Sequence, residues 1–229
     1  MQEISPDFEQ AWQRFRALDA LRLVDDTLES QWAHGRRDYL AFLVPLDDPA
    51  VQAHVARMIE AIHEIRGVEA YPPSYWHITI KGVGFLVDRP SADDEVSPAD
   101  TERIIRDARG VFEREPAFEV QIGRANGFPE VVFLEVCDGG RVRSLNTRLL
   151  EEVPGLSAYP IDGPVFLPHI SIARFTSSEG RAQVQAALAE LREGPPGPAF
   201  VVREVQLIQA HLSQTAPTFD LLASYRLAG

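Results

Sequence analysis

The sequence predicts an α+β protein built from two similar halves, and two observations carry that reading. Along the 229 residues, runs rich in β-branched and aromatic residues alternate with runs of helical periodicity, in the order β-α-β-α-β-β-α-β-α-β-β. The paired strands argue against a purely parallel sheet. Each half also holds a strand built around a histidine, His77-Ile78-Thr79 and His169-Ile170-Ser171, followed by a helix and then two strands. That recurrence points to an internal duplication with pseudo-two-fold symmetry.

From residue 6 to about 30, Phe8, Trp12, Phe15, Leu18 and Leu21 recur at spacings of three and four, making one apolar stripe on a helix. Pro6 suits a first helical position, and Asp7 and Glu9 favour the positive helix start. This stretch, residues 1–37, is expected to be an N-terminal helical extension, an appendage or a lid. Residues 38–44 read as a strand ended by Pro45 and Asp47-Asp48-Pro49. Residues 51–65 read as a helix with Val55, Met58, Ile59, Ile62 and Ile65 on one side and Gly67 as its stop. The first histidine strand comes next, within Tyr75-Trp76-His77-Ile78-Thr79-Ile80. Residues 88–99 are polar with two prolines and read as a loop, and 101–113 as a helix. Residues 118–122 and 131–136 read as adjacent strands, and 141–153 as a helix. The second histidine strand lies within Phe166-Leu167-Pro168-His169-Ile170-Ser171-Ile172-Ala173. A helix over 180–191, a break at 195–198 and two strands over 200–210 and 219–227 complete the chain. Residues 38–229 form the main domain.

Composition narrows the function. Hydrophobic residues make up 45% and charged residues 24%, the balance of a soluble globular protein. The formal charge of −12 opposes binding of long nucleic acids, while a small nucleotide or an RNA end remains compatible because a cleft can differ in sign from the whole surface. A single cysteine, Cys137, excludes an internal disulfide and fits a reducing compartment. With no signal-like N-terminus and no run long enough to span a membrane, a cytoplasmic location is expected. Oligomeric state leaves no mark in the sequence.

The chemistry lies in the histidine strands. Residues two apart in a strand share a face, so each tripeptide presents an imidazole beside a hydroxyl and turns the isoleucine away. Two such strands facing one cleft supply two imidazoles and two hydroxyls. Hydrolysis of a phosphodiester needs water deprotonated and the departing oxygen protonated, and histidine does either near neutral pH. His77 and His169 are the expected catalytic pair. Thr79 and Ser171 are expected to donate hydrogen bonds to the non-bridging phosphate oxygens. Lys81, two residues beyond Thr79, is expected on the same face and against the phosphate, whereas Arg174 is out of step with Ser171 and should face away unless the strand bulges. His211-Leu212-Ser213 matches the bare pattern but runs into a turn and is a decoy. No chelating spacing of His or Cys is present, so neither a metal nor any other cofactor is expected.

On these residues the chain resembles the 2H phosphoesterases, the superfamily that includes proteins labelled 2′-5′ RNA ligase and the cyclic phosphodiesterases. Its two His-x-Thr/Ser motifs correspond to His77-Ile78-Thr79-Ile80 and His169-Ile170-Ser171-Ile172, at a similar separation. The resemblance covers about residues 38–227 and implies a bilobal fold with antiparallel-rich sheets flanking a central groove. It further implies a 2′,3′-cyclic phosphate or 2′-5′ linkage as target, with His169 the base toward water and His77 the acid. Tyr75 is expected to stack on a base, with Tyr71, Trp76, Tyr159 and Phe166 nearer the edges. A nucleotide-binding module without turnover, and RNA joining, are the competing readings.

Overall fold

The computed structural model describes residues 6–24, 32–212 and 216–229. Its elements are α1 (Pro6–Arg16), β1 (Asp38–Pro45), α2 (Pro49–Glu60), β2 (Val68–Ala70), β3 (His77–Leu86), β4 (Glu95–Val96), α3 (Pro98–Phe112), β5 (Phe118–Gly127), β6 (Val131–Cys137), α4 (Arg141–Glu152), β7 (His169–Phe175), α5 (Arg181–Arg192), β8 (Ala199–Val202), β9 (Glu204–His211) and β10 (Thr218–Arg226). They form two five-stranded sheets, ordered β10-β9-β1-β3-β4 and β2-β7-β6-β5-β8. All strand pairs are antiparallel except β3 with β4. The expected α+β fold in two antiparallel-rich lobes is what the chain adopts. No helix among the described residues is long and apolar enough to cross a membrane.

The lobes share a plan. Each histidine strand lies second from one edge of its sheet, between a long antiparallel neighbour and a very short strand. The lobes are also stitched together. The short β2, from the first half of the chain, joins the sheet of β7, and the single strand read from sequence over 200–210 is in fact two, β8 and β9, that split between the sheets. The split falls at Arg203, where β8 leaves the second sheet and β9 enters the first. Alternation of polarity reports burial on a face, not the identity of the sheet, so this crossover left no trace in the pattern.

Two proline signals that read as loop punctuation open helices instead. Asp48 accepts hydrogen bonds from the amides of Ala50 (2.9 Å) and Val51 (3.1 Å), with Pro49 in the first turn of α2. Ser97 and Asp100 form a reciprocal capping box before α3, which therefore starts at Pro98. Helix α2 ends at Glu60, earlier than the periodicity predicts. The apolar residues 62 and 65 continue the stripe through tight turns before Gly67, whose φ of +81° an L side chain rarely adopts.

Helix α1 ends at Arg16, shorter than expected, and the chain beyond it runs without regular structure, held by backbone bonds to the second lobe. The amides of Arg22 and Val24 bond the carbonyls of Pro129 and Phe175, and Leu21 is buried. The rest of the predicted helix, from residue 25 to about 30, lies outside the described residues. The described part is no loose appendage: Phe8, Trp12 and Phe15 are buried against the second lobe, and Asn126 donates to the Phe8 carbonyl (2.9 Å).

Candidate active site

The two motifs are built alike. A single 3-10 turn precedes each strand, Pro73–Tyr75 before His77 and Gly163–Val165 before His169. Each ring is then tied to the carbonyl two residues upstream: His77 Nδ1 to Tyr75 O (2.5 Å) and His169 Nδ1 to Leu167 O (2.8 Å). A carbonyl only accepts, so Nδ1 carries the proton in both rings, leaving Nε2 as the nitrogen open to a substrate. The isoleucines of both motifs are fully buried, and the histidines and hydroxyl residues are half-buried. Thr79 sits opposite Leu43, and Ser171 opposite Phe133.

The electrostatics reflect that setting. Burial lowers the pKa of both imidazoles, and His77 falls to about 4. Its hydrogen bond to Tyr75 O opposes the shift, while a charge on His169 reinforces it. The two rings therefore sense each other across the lobes. Aromatic rings stand edge-on to both: Tyr75 (5.3 Å) and Phe219 (5.3 Å) beside His77, Phe128 (5.1 Å) and Phe133 (5.2 Å) beside His169.

Lys81 departs from expectation. Thr79 pairs with Leu43 and Lys81 with Phe42, so Ile80 is the extra residue of a bulge and the side-chain phase slips by one. Lys81 consequently shares a face with the buried Phe42. Its ammonium is wholly buried, 2.9 Å from Asp162 and 4.1 Å from the centre of the Tyr159 ring. Asn146 donates to the Ile80 carbonyl (2.9 Å) and to Asp162 (2.8 Å), tying bulge, lysine and the 159–163 loop together. Lys81 is thus spent on structure rather than directed at a phosphate. The second strand bulges at Ile172 in the same way, which turns Arg174 onto the His169 face, where it bonds Glu69 (2.9 Å).

Beside His77 the groove opens into a cavity of about 650 Å3. His77, Thr79, Tyr71, Tyr75, Tyr159 and Phe166 line it, whereas His169 and Ser171 are not among its lining residues. Tyr75 stacks on Tyr71 (4.1 Å between ring centres), placed there by the turn and not by strand alternation. Trp76 points into the core, its indole bonded to Tyr71 O (3.0 Å). Phe219 and Tyr39 are among the lining residues that the sequence reading did not single out. Phe219 comes from the last strand, and the Tyr39 hydroxyl occupies the space that any side chain at Gly82 would need. Only strand register reveals either. His211 lies apart from the pair, between Asp38 (2.7 Å) and Asp220 (2.9 Å) at the end of β9, and Ser213 of the decoy lies outside the described residues.

The model of the 2′-5′ RNA ligase superfamily matches residues 45–214, which include both motifs. The chain belongs to that superfamily, the 2H phosphoesterases. Solved structures share the fold at low identity. TT0787 of Thermus thermophilus is 21% identical with a TM-score of 0.60, covering 83% of this chain and 98% of its own. E. coli LigT complexed with NADP+ is 16% identical with a TM-score of 0.60, covering 85% and 100%. A conserved protein of Agrobacterium tumefaciens is 13% identical with a TM-score of 0.60 and covers 96% of this chain and 99% of its own. No curated protein matches the sequence. Superfamily membership accounts for the paired motifs, while LigT has also been solved with ATP and with 3′-AMP.

Proposed function

We propose that this 2H phosphoesterase is a metal-independent phosphodiesterase acting on a 2′,3′-cyclic phosphate or 2′-5′ linkage of a nucleotide or RNA end, with His77 and His169 as catalytic residues. The observation that carries the reading is the pair of imidazole–hydroxyl units, each with Nδ1 fixed on a backbone carbonyl and Nε2 left for a proton transfer. The 3′-AMP with which LigT has been solved, a single nucleotide unit, supports a ligand of this class.

His169 Nε2 takes a proton from water as the water oxygen bonds to phosphorus. The bond from phosphorus to the ester oxygen breaks, and that oxygen receives a proton from His77 Nε2; the product is a phosphomonoester and a free hydroxyl. Thr79 and Ser171 donate to the non-bridging oxygens as charge builds there. His77 is neutral in the empty groove, and the negative phosphodiester supplies the field that returns its proton. Tyr75 stacks on the base beside His77.

The test is turnover of 2′,3′-cyclic nucleotides by wild type, His77→Ala and His169→Ala, read by phosphorus NMR with EDTA present. Wild-type hydrolysis falling by a factor of roughly 10²–10⁴ in each variant is expected. Unchanged turnover in both variants, or dependence on an added divalent ion, defeats the mechanism.

A further inference from the structure

The motifs are symmetric, but their surroundings are not. On the His169 side, Phe133, the cross-strand partner of Ser171, is fully buried: Phe128 stacks on it (4.2 Å) and Phe8 of α1 packs against it (6.3 Å). Next to it Glu135, opposite His169, is sealed by Arg192 (2.6 Å) and Asn126 (2.8 Å). Substrate bulk finds little room there. On the His77 side the equivalent face carries Ala41, Leu43, Ile208 and Ala210 and borders the cavity of about 650 Å3.

That cavity is apolar and aromatic, and none of its described lining residues is a lysine or arginine. Its two carboxylates are already matched, Asp94 by Arg36 (2.9 Å) and Asp162 by Lys81 (2.9 Å). Leu221, opposite Ile208 on the same face as Phe219, continues the apolar surface outward at 58% exposure. An aromatic or apolar group gains from burial in such a space. A second phosphate would lose its hydration without a cation to replace it.

Resting on the hydrolase reading, we propose that the substrate is a phosphodiester of single charge. Its aromatic or apolar alcohol part fills the His77-side cavity, and an additional phosphate on that part is rejected. The enzyme then works on single nucleoside-like units and disfavours polyanionic nucleotides and strands that would run through the groove.

The test compares kcat/KM of the wild-type protein for 2′,3′-cyclic AMP and for the same compound bearing a 5′-phosphate. The 5′-phosphate is expected to lower kcat/KM at least tenfold, and Leu221→Lys, which places a cation at the exposed rim, is expected to narrow that ratio several-fold. Phe219→Ala should raise KM for 2′,3′-cyclic AMP with little change in kcat. Equal or faster turnover of the 5′-phosphorylated compound overturns the inference and leaves the hydrolase reading standing. Turnover of neither compound overturns both.

Discussion

Ile80 and Ile172 stand at the same place in two different strands: each is the extra residue of a β-bulge immediately after the hydroxyl residue of its motif. The bulges end the alternation that displays His77 with Thr79 and His169 with Ser171. They send the next side chains, Lys81 and Ala173, to the buried face opposite Phe42 and Val132. A bulge raises local twist and re-aims the side chains beyond it, which turns Lys81 away from the motif face in one strand and brings Arg174 onto it in the other.

Lys81 therefore belongs to stability. Breaking a buried ion pair by removing one partner costs about 3–5 kcal/mol, because the other charge stays buried and uncompensated. Lys81→Met is expected to lose stability on that scale, and the double variant Lys81→Met/Asp162→Asn to recover much of it, both read by urea unfolding. A large fall in kcat for Lys81→Met with full stability would instead assign the ammonium to the substrate.

The hydroxyls carry a different signature. Under the proposed mechanism, Thr79→Val and Ser171→Ala each remove one hydroxyl donor to charge that grows in the transition state. A loss of about 10–1000-fold in kcat, with a smaller change in KM, is expected for each. Because Thr79 and Ser171 are half-buried, unfolding midpoints should move little. A pure KM effect in steady-state kinetics would show that they grip the ground state only.

The pH dependence comes from the two depressed imidazoles. The folded-state pKa of His77 is about 4, below the unfolded value near 6.5, so between those values the unfolded chain binds the proton more readily. The contribution of neutral His77 to stability is complete above about pH 6.5 and is lost as pH falls toward 4. His77→Asn should flatten that slope in urea unfolding between pH 4.5 and 7.5. Histidine NMR should place His77 near 4 in the free protein and higher with a phosphate ester bound. A free-state value at or above 6.5 would contradict the burial that sets it.

Sequence and structure agree where the physics is local. The two His-x-hydroxyl units needed only a two-residue period, and the helix faces only a 3.6-residue one, so both were readable. The fate of Lys81 was not, since it depends on a bulge that Asn146, 66 residues on, helps to hold through the Ile80 carbonyl. Arg174 turned the other way for the same reason. Tyr39, Phe219 and the Arg203 crossover depend on which strands become neighbours, a property of the whole chain. The stripe of Phe8, Trp12 and Phe15 announced a buried helix face without saying that its first turn reaches the wall behind the His169 imidazole.

That wall supplies the last prediction. Phe8 is buried against Phe133, which stands edge-on to His169 at 5.2 Å. Phe8→Ala empties a site that the closely packed interior fills only in part, at a cost of about 3–5 kcal/mol. Because Phe133 can lean into the space left behind, the His169 ring loses its backing while its Nδ1 bond to Leu167 O remains. Stability and kcat should therefore fall together, whereas Phe15→Ala, whose ring stacks on Phe175 at 6.2 Å, should cost similar stability and spare kcat measured below the unfolding range. Equal kinetic losses in the two variants would make α1 a general support of the second lobe with no special tie to His169.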